Sequence, residues 1–376
     1  MPKRRRGDRG GGRTEKRRRR HLYLVFDDWS LGYTIRKINF LSSGNDSDDS
    51  TPLAVSGEGA GRRLPKPFFR LEAPRGLPQY ITSALGTRIM ALHPREPAGA
   101  DLVPETSFPI FDVRSRGVIF GPRSKTYPAR PIYLPVIGNM LFALGDGSFE
   151  LLPPPPLEQP GRGGWCLWSA WFEPPPPPFE RRHVTSYAVH PDDDGGNALV
   201  IISVENGGGA ATFTFDFDMG ARAFGWKRRG EWALPFTGRA HFDGDLGGFV
   251  GLCKDPDAAG HLCSCDAAGS GAGDAAPAWK LGKENLFSED PGQRHVGATL
   301  VYMGRKSKFC LVQSVAIEDD SATAGQCYMY RLTTFSLSYG ENGELTTGKS
   351  RRVRCYKVPS KASTEFILES PVAFWL

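Results

Sequence analysis

The sequence predicts an all-β fold, and three observations predict it. Glycine and proline are abundant, 45 and 31 of 376 residues, and both interrupt helices. Aromatic residues make up 11% of the chain and fall in short alternating runs, with no long apolar stripe at helical spacing. The third observation is an internal repeat of strand groups. A chain of this length can bury a full core, as one large β domain or as two or three smaller units.

The elements follow in order. Residues 1–20 form a low-complexity Arg- and Gly-rich tail that cannot offset its ordering entropy by burial, so it is expected to be disordered. It holds eleven basic residues, Lys3, Arg4, Arg5, Arg6, Arg9, Arg13, Lys16, Arg17, Arg18, Arg19 and Arg20, against Asp8 and Glu15. The net charge of +6 therefore resides wholly in the tail, and the body from residue 21 to 376 is mildly acidic at −3. A body that grips nucleic acid through its own fold is disfavoured on that ground. "HLYLVFDDW" and "TIRKINF" then read as strands, followed by a polar, mobile loop at 42–63. "TRIMALHP", "SFPIFDVRSR" and "GVIFGP" make one strand group; "PIYLPVIG", "NMLFALGD", "SFELLPPPP" and "CLWSAWF" make the next. The proline runs at 153–156 and 174–178 belong to connections, where no ladder donor is needed.

Two further groups are close copies. "VTSYAV", "ALVIISV", "ATFTFDFD" and "AFGWK" match "RAHFD", "GFVGLC", "HLCSCD" and "AWKLG". Val200 and Val250, and likewise Asp216 and Asp266, are 50 residues apart; Trp226 and Trp279 are 53 apart. Phe213, Phe215 and Phe217 alternate with polar partners, so Asp216 and Asp218 point to the opposite face and serve structure near a strand end. A looser copy runs "HVGATLVYM", "KFCLVQSV", "CYMYRLTTFSLSY" and "RRVRCYKV". Four strands per period of about 40–60 residues is the signature of a β-propeller. The expectation is a single propeller of six blades, each of four antiparallel strands. "STEFILESPVAFWL" should close the ring as a strand paired with the N-terminal strands, and Trp226 and Trp279 should be equivalent core positions.

Several stretches resemble a known family. "GEWALPFTGRAHFDGDLGGFVGLC", "GHLCSCD", "PAWKLGKENLF", "HVGATLVYMG" and the entry "RRRRHLYLVFDDWSLGYTIRKINF" are similar to uncharacterised kelch-like proteins of cereal grasses, grouped as a domain of unknown function. The resemblance implies a propeller fold and a plant source, and it implies no activity.

Chemistry-bearing motifs point away from catalysis. His261, Cys263 and Cys265 lie on one side of a strand, but structural zinc sites draw on paired clusters, so buried thiols are favoured over a metal site. "GAGDAA" at 271–276 lacks the following helix that a dinucleotide site requires. No catalytic residue, cofactor or metal ligand is assigned. "KRRR" (Lys3 to Arg6) and "KRRRR" (Lys16 to Arg20), joined by a nine-residue spacer, suit the acidic grooves of a nuclear import receptor. The reading is a monomeric, non-enzymatic module that binds a protein partner, with no membrane role. It is expected in the nucleus, with the cytoplasm as the alternative place. The alternatives in function are an enzyme or carbohydrate-binding propeller with a loop-built site, or an adaptor held on nucleic acid by its tail.

Overall fold

Continuous apolar runs such as "MLFALG" at Met140–Gly145 and "GFVGLC" at Gly248–Cys253 are buried at every position, on both faces of their strands. A strand covered on both faces belongs to a sheet packed between two others. That is the arrangement in the computed structural model, a ring of sheets like a β-propeller. It describes residues 20–40, 61–73, 75–76, 80–92, 107–124, 126, 131–136, 139–155, 168–191, 198–218, 223–266, 275–317, 327–362 and 365–376. The tail at 1–19, most of the loop at 42–63, Cys166, His93 and most of "GAGDAA" lie outside the described residues.

In the first sheet β1 (Leu22–Trp29), β2 (Gly32–Ile38) and β3 (Pro67–Glu72) follow in order. The second comprises β4 (Ile81–Leu85), β5 (Arg88–Ala91), β6 (Ser107–Asp112) and β7 (Val118–Pro122). The third has β8 (Ile132–Val136), β9 (Met140–Gly145) and β10 (Ser148–Leu152). Then come β11 (Val184–Pro191), β12 (Ala198–Asn206), β13 (Gly209–Asp218) and β14 (Ala223–Gly230). They share one sheet with β15 (Phe236–Asp243), β16 (Gly248–Cys253), β17 (Leu262–Asp266) and β18 (Trp279–Leu281). Another sheet takes β19 (Gln293–Gly304), β20 (Lys308–Ile317), β21 (Cys327–Ser336) and β24 (Arg352–Lys357). Between those last two in sequence, β22 (Ser338–Tyr339) and β23 (Leu345–Thr346) pair by themselves. The short helix α1 (Glu365–Glu369) precedes β25 (Ala373–Trp375), which joins the first sheet.

The expected division into six separate four-stranded blades is not what the hydrogen bonding forms. Among the described residues the ring has four blades, not six: four sheets carry four or more strands, one carries three and one carries two. The reason is twofold. β11 and β15 pair in parallel at Ser186–Gly238 and Tyr187–Arg239, which fuses the two repeat groups into an eight-stranded sheet. Of "CLWSAWF", the described residues 168–172 supply only a bridge, Phe172 to Leu151, in place of a strand beside β10.

The ring closes through Leu22–Trp375, Tyr23–Phe374 and Leu24–Ala373, so no open edge of β1 is left. The C-terminal segment differs from its expected single strand, because Glu365–Glu369 forms a helical turn that buries Ile367 and Leu368. Gly297 of β19 makes room for it: a Cβ there would lie 2.0 Å from the Glu369 carbonyl oxygen. Apolar seams join neighbours around the ring. Leu22 and Leu24 pack with Cys310 and Val312; Val25 and Ile35 with Ile89 and Phe111; Leu141 with Met90 and Ile110. Phe142 and Phe149 meet Phe215 and Phe217, Ile201 meets Phe249, and Val250 meets Leu311. Among the described residues no helix is long and apolar enough to cross a membrane.

Candidate functional site

The innermost strands converge on the axis of the ring. β4 touches β8, β8 touches β11, β11 touches β15, β15 touches β19, and β19 touches β25. They enclose an open cavity of about 780 Å³. Its volume lies within the range of small-molecule sites, ~300–1,000 Å³. Successive residues of a strand point to opposite sides, so each inner strand sends only alternate side chains toward the axis. The polar lining includes Tyr133, Thr185, Tyr187, Arg239, His241 and Arg181, the last from the single turn that leads into β11.

Arg239 and Tyr187 are register partners across the parallel pairing. Arg239 lines the open channel and is exposed to the solvent that fills it. Burial lowers its pKa, with Tyr187 acting in the opposite direction. His241 lies two residues further along β15. Burial first, and then the Arg239 charge, push its pKa down to about 3, against a smaller raising effect of its bond to Leu300. Its Nε2 lies 2.9 Å from the Leu300 carbonyl, which only accepts, so Nε2 carries the proton and Nδ1 is an acceptor. The imidazole is therefore neutral near pH 7. Burial also raises the Tyr187 and Tyr133 hydroxyl pKa values, so both remain protonated donors. No Asp or Glu occurs among the described residues that line the cavity. Asp243, at the end of β15, is engaged elsewhere: Oδ1 accepts from the Asp245 and Leu246 amides and from Ser307 Oγ.

The residues singled out in the sequence sit apart from this cavity. Of the basic clusters, Lys3 to Arg6 and Lys16 to Arg19 lie outside the described residues; Arg20 is exposed just before β1. Asp216 is on the outer part of its sheet, 2.5 Å from Lys227 Nζ and 3.9 Å from Arg229. Cys263 and Cys265 are buried, and burial pushes the Cys265 thiol up to about 12 and the Cys263 thiol up as well. His261 Nδ1 pairs with the Gly282 carbonyl at 2.9 Å. Arg239 was concealed inside "TGRAHFD", which reads simply as a strand. The available signal was a cation on the first strand of a repeat group whose core partners are apolar.

A family model described as "Protein of unknown function (DUF1668)" matches residues 19–356. The chain belongs to that family. No curated protein matches it.

Proposed function

We propose that this member of the family is a non-enzymatic, kelch-like protein-interaction module that works in the nucleus as a monomer. The observation that carries the interaction role is the ring itself. Sheets joined by apolar seams hold their connecting loops on a rigid frame, and loops on rigid frames are where recognition concentrates. The tail supports the nuclear part, since Lys3 to Arg6 and Lys16 to Arg20 are two basic clusters on a spacer of nine residues.

The test separates the two parts. A fluorescent fusion of the whole chain should accumulate in nuclei. Alanine at Lys16 to Arg20 should reduce that accumulation without changing the melting temperature, and alanine at Lys3 to Arg6 should weaken it as well. Residues 1–20 on an inert reporter should suffice for import. A native fusion that stays cytoplasmic would remove the nuclear assignment. Affinity purification with and without residues 1–20 should recover a partner that depends on the ring and not on the tail; recovery that requires only the tail would remove the interaction role of the ring.

A further inference from the structure

We propose that the central cavity is a binding site for a small oxyanion, a molecule bearing a phosphate or carboxylate group, with Arg239 as its principal contact. This goes beyond the interaction role of the loops, because the site lies on the axis and its ligand is a small molecule.

The argument begins with charge. Arg239 projects from β15 into a cavity of about 780 Å³ that no described Asp or Glu side chain lines. A solvent-reached guanidinium on the channel wall, with no described Asp or Glu side chain facing it, offers its donors to an anion that enters the channel. The planar fork of Arg donates two parallel hydrogen bonds to a carboxylate or phosphate, which suits it to this task over Lys. Arg181 lines the same cavity and adds positive potential from the β11 side.

The neighbours extend the same chemistry. Tyr187 stands in register with Arg239, and the Tyr187 and Tyr133 hydroxyls are kept protonated as donors. His241 lies two residues beyond Arg239 on β15, and burial, then the Arg239 charge, lower its pKa, so a neutral imidazole stands beside the guanidinium. Its Nδ1 is an acceptor, so a ligand hydroxyl would find a partner beside the oxyanion. Thr237 supplies a further hydroxyl, while Thr185 Oγ1 donates to the Ser203 carbonyl at 3.5 Å. A site with two guanidiniums, tyrosine and threonine hydroxyls and no described Asp or Glu side chain selects an anion over a cation or an apolar molecule.

The experiment is isothermal titration of the full chain with inorganic phosphate and, separately, with citrate. Both arms compare wild type, Arg239→Gln and Arg239→Lys. The basic tail is common to all three proteins, so any phosphate it attracts appears equally in each and falls steeply with salt. Saturable one-site binding that weakens at least tenfold in Arg239→Gln, and less in Arg239→Lys, supports the site. Binding of phosphate alone identifies a phosphate ligand, and binding of citrate alone a carboxylate ligand. Equal binding by wild type and Arg239→Gln would place the anion on the tail and overturn the proposal, as would no binding of either probe. Should Arg239→Gln fail to fold, Arg181→Gln takes its place, with a fall of threefold or more expected and no change overturning it. Partner recovery by the ring is measured independently, so failure of either reading leaves the other intact.

Discussion

The two repeat groups, β11 to β14 and β15 to β18, begin alike and end differently. Val200 and Val250 are both fully buried 50 residues apart, and Ile202 and Leu252 hold matching buried places. One strand further the volumes diverge: Phe213 and Phe215 correspond to Cys263 and Cys265. Phe215 lies with its ring centroid 5.5 Å from Phe142 and 5.0 Å from Phe149 of the neighbouring sheet, and 4.9 Å from Trp226, its partner on β14. Cys265 packs in a cluster with Ile201 and Phe249, where bulk already comes from the partners. In the fourth strand the groups part entirely. β14 runs for eight residues and β18 for three, all exposed. A repeat therefore preserves the inner strands, which must fit both neighbours, and releases the outer strand to whatever lies over it.

Truncating the aromatic member of the pair should have the largest effect. Phe215→Ala removes a fully buried ring from a close-packed cluster and should cost about 3–5 kcal/mol. Cys265→Ala, at the corresponding position, should cost about 1 kcal/mol because a single small atom is lost. Denaturant melts of both variants measure the difference. Equal costs would mean that the two groups share one packing scheme and that the contrast is superficial.

Trp226→Ala is next, at about 2–3 kcal/mol. Its ring is half-buried between Phe149 and Phe179, both with centroids 5.1 Å away, and its Nε1 donates to the Pro175 carbonyl at 3.0 Å. The proline run 174–178 is thus a cover for β14 as well as a connection. Replacing Pro175 and Pro176 by Gly should lower the cost of Trp226→Ala, since the two act on the same contact. Strict additivity would detach the run from the tryptophan.

These contrasts explain what was legible in the sequence. The strands and the basic tail stood out because apolar runs, turn residues and charge are local signals. The pairing of β25 with β1 followed from an apolar terminus that had to be covered. The fusion of β11 with β15 left no local trace, because a parallel pairing has no connecting turn of its own. "EFILE" reads as strand or helix equally well at five residues, and its packing over Gly297 decided for helix. Trp226 and Trp279 look identical in sequence, and only the tertiary cover distinguishes them. Arg239, Tyr187 and His241 could not be joined from sequence, since the parallel pairing of β11 with β15 that brings them together left no local trace.

The cavity makes a pH test of the second group. His241 titrates at about 3 in the fold and near its ordinary 6.5 when unfolded. Between those values the unfolded chain binds more protons, so stability is complete above pH 6.5 and declines as pH falls toward 3. With water in the channel screening the charge, the loss should be on the order of 1–2 kcal/mol. His241→Gln should flatten this acid limb, measured as the difference in unfolding free energy between wild type and variant at pH 4.5 and pH 7.5. The contribution from His295, which burial also lowers, is common to both proteins and cancels. A difference independent of pH would show that His241 does not titrate as its surroundings dictate.

The smallest effect should come from Trp279. It is 50% exposed, where Trp226 is held between rings, and its strand pairs with β17 for three residues only. The backbone bonds that flank it, Asp266 N to the Ala278 carbonyl and Gly282 N to the Leu262 carbonyl, do not depend on the side chain. Trp279→Ala should therefore cost less than about 0.5 kcal/mol, the ordinary range for a surface change. Trp279→Thr, with better strand propensity on an exposed face, should be neutral or slightly stabilising. A cost of 2 kcal/mol or more for Trp279→Ala would mean that this ring is covered in solution as Trp226 is. The two groups would then be alike to their outer strands, and the contrast between an inner part shaped by both neighbours and an outer part shaped by its cover would fail.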